Sequence, residues 1–130
     1  NTILVQKMVS EGHEVFVGGK QDPLFGPVVL VGLGGVYVEV FGDVAHRVAP
    51  LSAAEARKML TEIRGSRLLE GVRGQPPADL ETLIDTIQRV SQLICNLPQI
   101  KELDLNPIKV LPKGQGCMVV DCRMVITKGD

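Results

Sequence analysis

Lys101-Glu102-Leu103-Asp104-Leu105-Asn106-Pro107 is the segment whose residue types and spacing most directly invite chemistry. In a strand, alternate side chains share a face, so Glu102, Asp104 and Asn106 would line one surface and Leu103 and Leu105 the other. Fifteen residues beyond Asn106 stands Asp121, a lone carboxylate in the apolar run Val119-Val120-Asp121-Cys122. A charge in such a run should be paired or coordinated, because burying it alone is costly. Hard cations such as Mg²⁺ take oxygen ligands, usually one or two protein groups plus waters and substrate phosphates. An Asp and an Asn facing each other across a hairpin would supply that set. From spacing alone the plainer account is a solvated strand face, an Asn-Pro turn and a hairpin hydrogen bond at Asp121.

Other candidates are scattered through the first half. Glu14 shares a strand face with Phe16, where a partly buried carboxylate would accept hydrogen bonds from ribose hydroxyls or from a nearby basic group, a structural ion pair being the commoner arrangement. Arg47, amid His46, Val48 and Ala49, has the planar fork that suits a phosphate, although strand arginines commonly point to solvent. Gly32-Leu33-Gly34-Gly35 lacks the full G-x-G-x-x-G, and the strand-like Val36-Tyr37-Val38-Glu39-Val40 follows where a dinucleotide fingerprint needs a helix. The glycines would serve a tight turn or a close approach of backbone to phosphate. His13 and His46 have no Ser, Cys or Asp pattern that forms a triad.

The elements that must position these residues follow from the punctuation. β-branched stretches predict strands near 2–8, 13–19, 28–33, 36–41 and 44–49. The Gly- and Pro-rich 18–27 predicts a long shaped loop. Ser52 and Glu55 form a capping box for a helix over about 53–64, with Ala56, Met59, Leu60 and Ile63 on its apolar face and Gly65 at its end. A second helix runs from an Asp79 cap to about Leu97, before Pro98, with Leu80, Leu83, Ile84, Ile87, Val90 and Ile94 at helical spacing. The link 71–77 is a loop. Strands return near 101–105, 107–111, 117–122 and 123–126, with 112–116 as a hairpin connection. Strands, helices, strands is an α+β order rather than βαβ alternation.

Composition narrows the class. The 130 residues suit one domain, and with 45% hydrophobic but only 3% aromatic residues its core must be built from Val, Leu, Ile and Met. The balance of 14 basic and 15 acidic residues, a net charge of -1, leaves no electrostatic footprint for nucleic acid or a membrane surface. The apolar run Val28 to Val31 stops at Gly32, far short of the roughly 20 residues that span a bilayer. Cys95, Cys117 and Cys122 lack metal-ligand spacing and read as free thiols of a cytoplasmic protein. Asn1 is not an initiator Met and leads straight into Ile3, Leu4 and Val5, as expected of a piece of a longer chain.

Taken in order, Val5-Gln6-Lys7-Met8, Glu14-Val15-Phe16-Val17-Gly18, Asp22 to Pro27, Gly32 to Glu39, Arg47-Val48-Ala49-Pro50, Gly71-Val72-Arg73-Gly74 and Glu102 to Pro107 resemble the ATP-grasp part of ADP-forming acyl-CoA synthetases, enzymes similar to succinyl-CoA synthetase. The resemblance spans nearly the whole chain. It implies the carboxyl-terminal subdomain of an ATP-grasp fold, a mostly antiparallel sheet against two main helices. It further implies that Asn106 and Asp121 ligate the Mg²⁺ of bound ATP or ADP, with Asp104 supporting. A hinge would run from Val5 to Met8 with Gln6 beside the purine, where succinyl-CoA synthetases have Glu. Glu14 would sit near the nucleoside, and Arg47, Gly34 and Gly35 would face the phosphates. The implied activity is that of an acid–thiol ligase, interconverting acyl-CoA, ADP and phosphate with carboxylic acid, CoA and ATP through an acyl phosphate and a phosphohistidine. No histidine here is nominated for that role. The other ATP-grasp half and the CoA-binding domains would lie before Asn1 or on a partner chain, leaving this segment catalytically incomplete alone. Similar segments fused to protein acetyltransferases offer the alternative of a regulatory module. A fragment that only supports structure would instead self-associate as a homo-oligomer through the surface left uncovered.

Overall fold

The computed structural model describes residues 12–34, 43–71, 74 and 76–127. Six strands, β1 (His13–Asp22), β2 (Gly26–Leu33), β3 (Val44–Val48), β4 (Ile100–Val110), β5 (Cys117–Val119) and β6 (Cys122–Ile126), form one sheet. Its order is β3-β2-β1-β4-β5, with β6 also paired to β4, and every pairing is antiparallel. Helices α1 (Ala53–Thr61), α2 (Ser66–Leu69) and α3 (Leu80–Asn96) come between β3 and β4. The α+β order expected from the sequence is therefore the observed one.

Both main helices start where their caps require. The Ser52 hydroxyl accepts from Glu55 N at 3.1 Å while the Glu55 carboxylate accepts from Ser52 N at 3.1 Å, closing the capping box. Asp79 accepts from Thr82 N at 3.2 Å at the start of α3. From there Leu83, Ile84, Ile87, Val90 and Ile94 form a buried stripe against β1, β2 and β4. Val15, Val17, Val29, Val31, Leu103, Ile108 and Val110 complete the core from the sheet side.

Three expectations change. The 18–27 stretch is not a long loop: β1 continues through Gly18 and Gly19 to Asp22, and a three-residue turn leads into β2. The Asp22 carboxylate tightens that turn by accepting from Leu24 N at 2.8 Å and Phe25 N at 3.1 Å. The two strand glycines answer to close approach. A methyl on Gly19 would meet Val90 Cγ1 of α3 at 3.3 Å, and one on Gly18 would meet the Leu103 carbonyl oxygen at 3.3 Å. Second, 101–105 and 107–111 are one strand, β4, which carries Pro107 inside it. Val15 pairs with Ile108 but Val17 with Leu105, so Asn106 and Pro107 together oppose Phe16 in a bulge. The missing proline N–H falls where the ladder to β1 is already broken, while the Pro107 carbonyl still accepts from Val120 N at 3.0 Å. Third, the single-turn helix α2 follows α1, which ends at Thr61 rather than 64. The strands expected at 2–8 and 36–41 lie outside the described residues.

The hairpin expected at 112–116 is present. Leu111 N donates to the Gly116 carbonyl at 3.0 Å and Gln115 N to Pro112 at 2.9 Å. Asp79, buried at the head of α3, also accepts from Gly116 N at 2.7 Å, so one carboxylate caps the helix and pins the hairpin that leads into β5.

Candidate functional site

The sheet has two unlike faces. Gly19 faces α3, and its row partners Val29, Arg47, Leu103 and Met124 share that side. Gly18 faces the other way, toward Asp104, and its row contains Leu30, His46, Asp104 and Arg123. No described helix packs on this second face. Along it run Glu14, Phe16 and Lys20 of β1, Val28, Leu30 and Gly32 of β2, and Glu102 and Asp104 of β4. Gly32 lies beneath Phe16, where a methyl would stand 2.5 Å from the ring carbon Cε1.

The predicted metal donors converge at one edge of this open face. One register runs without a slip from Glu102 opposite Val125 to Val110 opposite Cys117. It sets Asn106 directly across from Asp121, and Asn106 N donates to the Asp121 carbonyl at 3.1 Å. Both residues stand one position beyond the pair Leu105–Cys122, which takes the helix side, so alternation turns their side chains toward the open face. Asp104 pairs with Arg123 in the row that follows on the same face. Partial burial pushes the Asp104 carboxyl above its ordinary value; the Arg123 charge opposes that rise, and Asp121 and Glu102 add to it. Asp121 is exposed rather than buried in an apolar strand, and its carboxylate accepts from Cys122 N at 2.9 Å. The burial argument for a bound charge therefore falls away, and what brings the donors together is register. Among the described residues, no three His, Cys, Asp or Glu side chains cluster tightly enough to hold a metal without other donors. Two carboxylates and an amide nevertheless fit an ion that fills its shell with water and phosphate oxygens.

Glu14 occupies the far end of β1, paired with Lys109 at 3.6 Å and more exposed than expected. Gly34 N donates to the Glu14 carbonyl at 2.8 Å, and a methyl on Gly34 would meet Glu14 Cβ at 3.3 Å. Glu14, Gly34 and Lys109 line one open cavity of about 260 Å³ with His13, Leu33 and Leu68. From Glu14 to Gly18, opposite Asp104, is four residues, or roughly 13 Å at strand spacing. Glu14 and the acidic edge are thus separate stations on one face. Gln6, Met8 and Gly35 lie outside the described residues.

Arg47 is not brought to either station. It projects from β3 on the helix side, with three strands between it and β6, and there its guanidinium pairs with Glu62 at the end of α1 and donates to the His46 carbonyl at 2.7 Å. Its neighbour His46, exposed, is the one on the open face. Sequence reasoning missed Arg123 and Lys109, the cations that do stand beside the predicted acidic residues. Arg123 follows Asp121 by two, a strand-face spacing that carries the signal once the register to Asp104 is known. It also missed Asp43, buried and satisfied by Arg64 N at 2.6 Å and Gly65 N at 2.8 Å, a carboxylate with a structural task. All three cysteines are free, as read from their spacing.

An antiparallel sheet roofed by helices on one side, with its oxygen-bearing side chains on the other, defines an α+β domain. The chain belongs to the ATP-grasp domain family, whose sequence profile matches residues 1–126. It is 49% identical over 124 residues to an ADP-forming acetate–CoA ligase I of Archaeoglobus fulgidus, covering 95% of this chain and 18% of that protein. It is 44% identical over 125 residues to the beta subunit of the ADP-forming acetate–CoA ligase II of Pyrococcus furiosus, covering 95% of this chain and 53% of that subunit. Among solved structures it superposes with a TM-score of 0.83, at 44% identity, on the dinucleotide forming acetyl-coenzyme A synthetase 1 of Ca. Korarchaeum cryptofilum, covering 88% of this chain and 53% of that one. That protein was captured with coenzyme A and Mg-AMPPCP, its phosphohistidine segment pointing towards the nucleotide binding site. The resemblance to ADP-forming acyl-CoA synthetases therefore stands over nearly the whole chain, which spans about half or less of the proteins it matches. No helix among the described residues is long and apolar enough to cross a membrane.

Proposed function

We propose that this chain is the carboxyl-terminal ATP-grasp subdomain of an ADP-forming acyl-CoA synthetase, and that its open face receives the phosphate end of MgATP or MgADP. The observation that carries the reading is the pairing of Asn106 with Asp121 across β4 and the β5–β6 ribbon, with Asp104 in the row beside them. Asn106 and Asp121 would hold Mg²⁺ directly and Asp104 would support or complete the set. When bound, the ion neutralises charge on the phosphates during phosphoryl transfer. The protein's own task is positioning: when the ribbon is paired to β4, the register holds the donors a strand spacing apart.

Glu14 is assigned to the nucleoside and, by the resemblance, so are Gln6 and Met8; Gly34, expected at the phosphates, instead stands beside Glu14 and joins that end. Arg47 takes a structural role between β3 and α1. The parent enzyme interconverts acyl-CoA, ADP and phosphate with carboxylic acid, CoA and ATP in the cytoplasm. Its phosphohistidine, its CoA-binding domains and the other ATP-grasp half come from elsewhere in the same or a partner chain. The test is isothermal titration of MgADP into the full-length protein and into an Asn106→Ala, Asp121→Ala double variant. Loss of the Mg²⁺-dependent part of the affinity is expected, and equal affinity in both proteins sinks the metal assignment.

A further inference from the structure

We propose that Arg123 is the guanidinium with which this subdomain grips the phosphates of the nucleotide, the part the sequence had offered to Arg47. The inference rests on the reading of the open face as a metal–phosphate site and adds a residue to it. Three observations carry it. Arg123 is the register partner of Asp104, on the open face, in the row next to Asn106 and Asp121. It is exposed and takes part in none of the described ion pairs, whereas Arg47, Arg57 and Arg89 are engaged by Glu62, Glu81 and Asp85. The edge it shares with Glu102, Asp104 and Asp121 carries three carboxylates, so a polyanion approaching there needs a fixed positive charge in addition to the metal.

A guanidinium suits that place. Its fork donates to two phosphate oxygens at once and stays charged at any working pH. Arg123 stands directly across from Asp104 and about 7–8 Å on the diagonal from Asn106, within reach of a long side chain. Lys20 and Lys109, the other described cations on β1 and β4 of this face, are spent differently. Lys109 pairs with Glu14 at the far station, and Lys20, also outside the described ion pairs, stands on β1, a strand further from Asp121 than Arg123.

The experiment titrates MgADP, adenosine and inorganic phosphate separately into the full-length protein and its Arg123→Gln, Arg123→Lys and Arg47→Gln variants. Arg123→Gln should lower MgADP affinity by about 10- to 100-fold, the usual loss of a charged hydrogen-bonding partner, and leave adenosine binding unchanged. Arg123→Lys should recover part of the loss, which a merely structural role would not require. Equal MgADP affinity in the parent and Arg123→Gln, or a loss confined to Arg47→Gln, overturns the proposal. A loss of inorganic phosphate uptake with MgADP unaffected overturns its assignment to the nucleotide. If Asn106→Ala, Asp121→Ala abolishes Mg²⁺-dependent binding while Arg123→Gln does not, this proposal fails alone; if the unmodified protein takes up no MgADP, it falls with the site.

Discussion

Replacing Asp79 with Ala should weaken the protein more than any surface carboxylate would, because this one buried group serves two elements. Its oxygens cap α3 at Thr82 N and hold Gly116 N at 2.7 Å. Loss of a helix cap costs about 1 kcal/mol. Leaving the part-buried Gly116 N–H without a partner adds about 1–2 kcal/mol, toward the lower end for a buried orphan. The sum, about 2–3 kcal/mol, should move the urea midpoint down by about 1 M or more with an unchanged slope. Asp79→Asn keeps the cap but turns an amide donor toward Gly116 N–H, so it should still lose the hairpin bond, about 1–2 kcal/mol, and fall between the parent and Asp79→Ala. Burial pushes the Asp79 carboxyl up, but the N–H donors of Gly116 and Thr82 outweigh it and hold it below its ordinary value. The sign follows: a depressed carboxyl contributes stability in full above the unfolded value of about 3.9, and that contribution drains away as pH falls through the folded value. The difference between parent and Asp79→Ala should therefore be flat near neutrality and shrink only in acid. Since the hairpin pinned by Asp79 leads into the ribbon bearing Asp121, the variant should also bind MgADP less tightly. Indistinguishable urea midpoints for parent and Asp79→Ala, or equal losses in the Ala and Asn variants, would refute the reasoning.

Three further outcomes are expected. Gly32→Ala would place a methyl 2.5 Å from the Phe16 ring and 2.9 Å from the Asp43 carbonyl oxygen, so it should cost about 1–3 kcal/mol by thermal melting. Removing Phe16 in the same chain should not restore the loss, because the Asp43 backbone stays. Burial, with the Asp79 carboxylate nearby, pushes the Cys117 thiol up to about 11. Iodoacetamide at pH 8 should therefore label the exposed Cys122 well before Cys117, as read by peptide mass. Because burial raises the Asp104 carboxyl, Mg²⁺-dependent nucleotide binding should begin to fail on acidification at a higher pH than in Asp104→Asn, checked by titration across pH.

How much of this was legible beforehand depended on whether the signal was local. The caps at Ser52 and Asp79 and the apolar stripe of α3 are spacings within one helix, and they were readable to within a few residues. The Gly18–Pro27 stretch misled because glycine and proline usually mark loops, whereas here Gly18 and Gly19 make room for β4 and α3, neighbours distant in sequence. Pro107 likewise looked like a strand end, since nothing near it in the chain tells of a bulge opposite Phe16. Asn106 and Asp121 do face each other across the ribbon as their spacing suggested, but Asp121 is no buried charge. Arg47 and Arg123 show the limit most clearly. Each is an arginine in a strand, and only the sheet order and register decide that one pairs with Glu62 behind the sheet while the other stands across from Asp104 in front of it.

Asp121 and Arg123 ride on the outermost ribbon, and among the described residues only β4 pairs with it. A strand held from one side alone can peel away in a local opening that leaves α3 and the central strands intact. Amides of β6 that bond to β4 should then exchange with solvent faster than those of β1, which is flanked on both sides. A nucleotide bridging Asn106 on β4 to the ribbon would clasp the two together, so its arrival should slow exchange there more than anywhere else in the sheet. The cost of closing that seam would be drawn from binding, and the ribbon's grip on β4 would set how tightly the nucleotide is held.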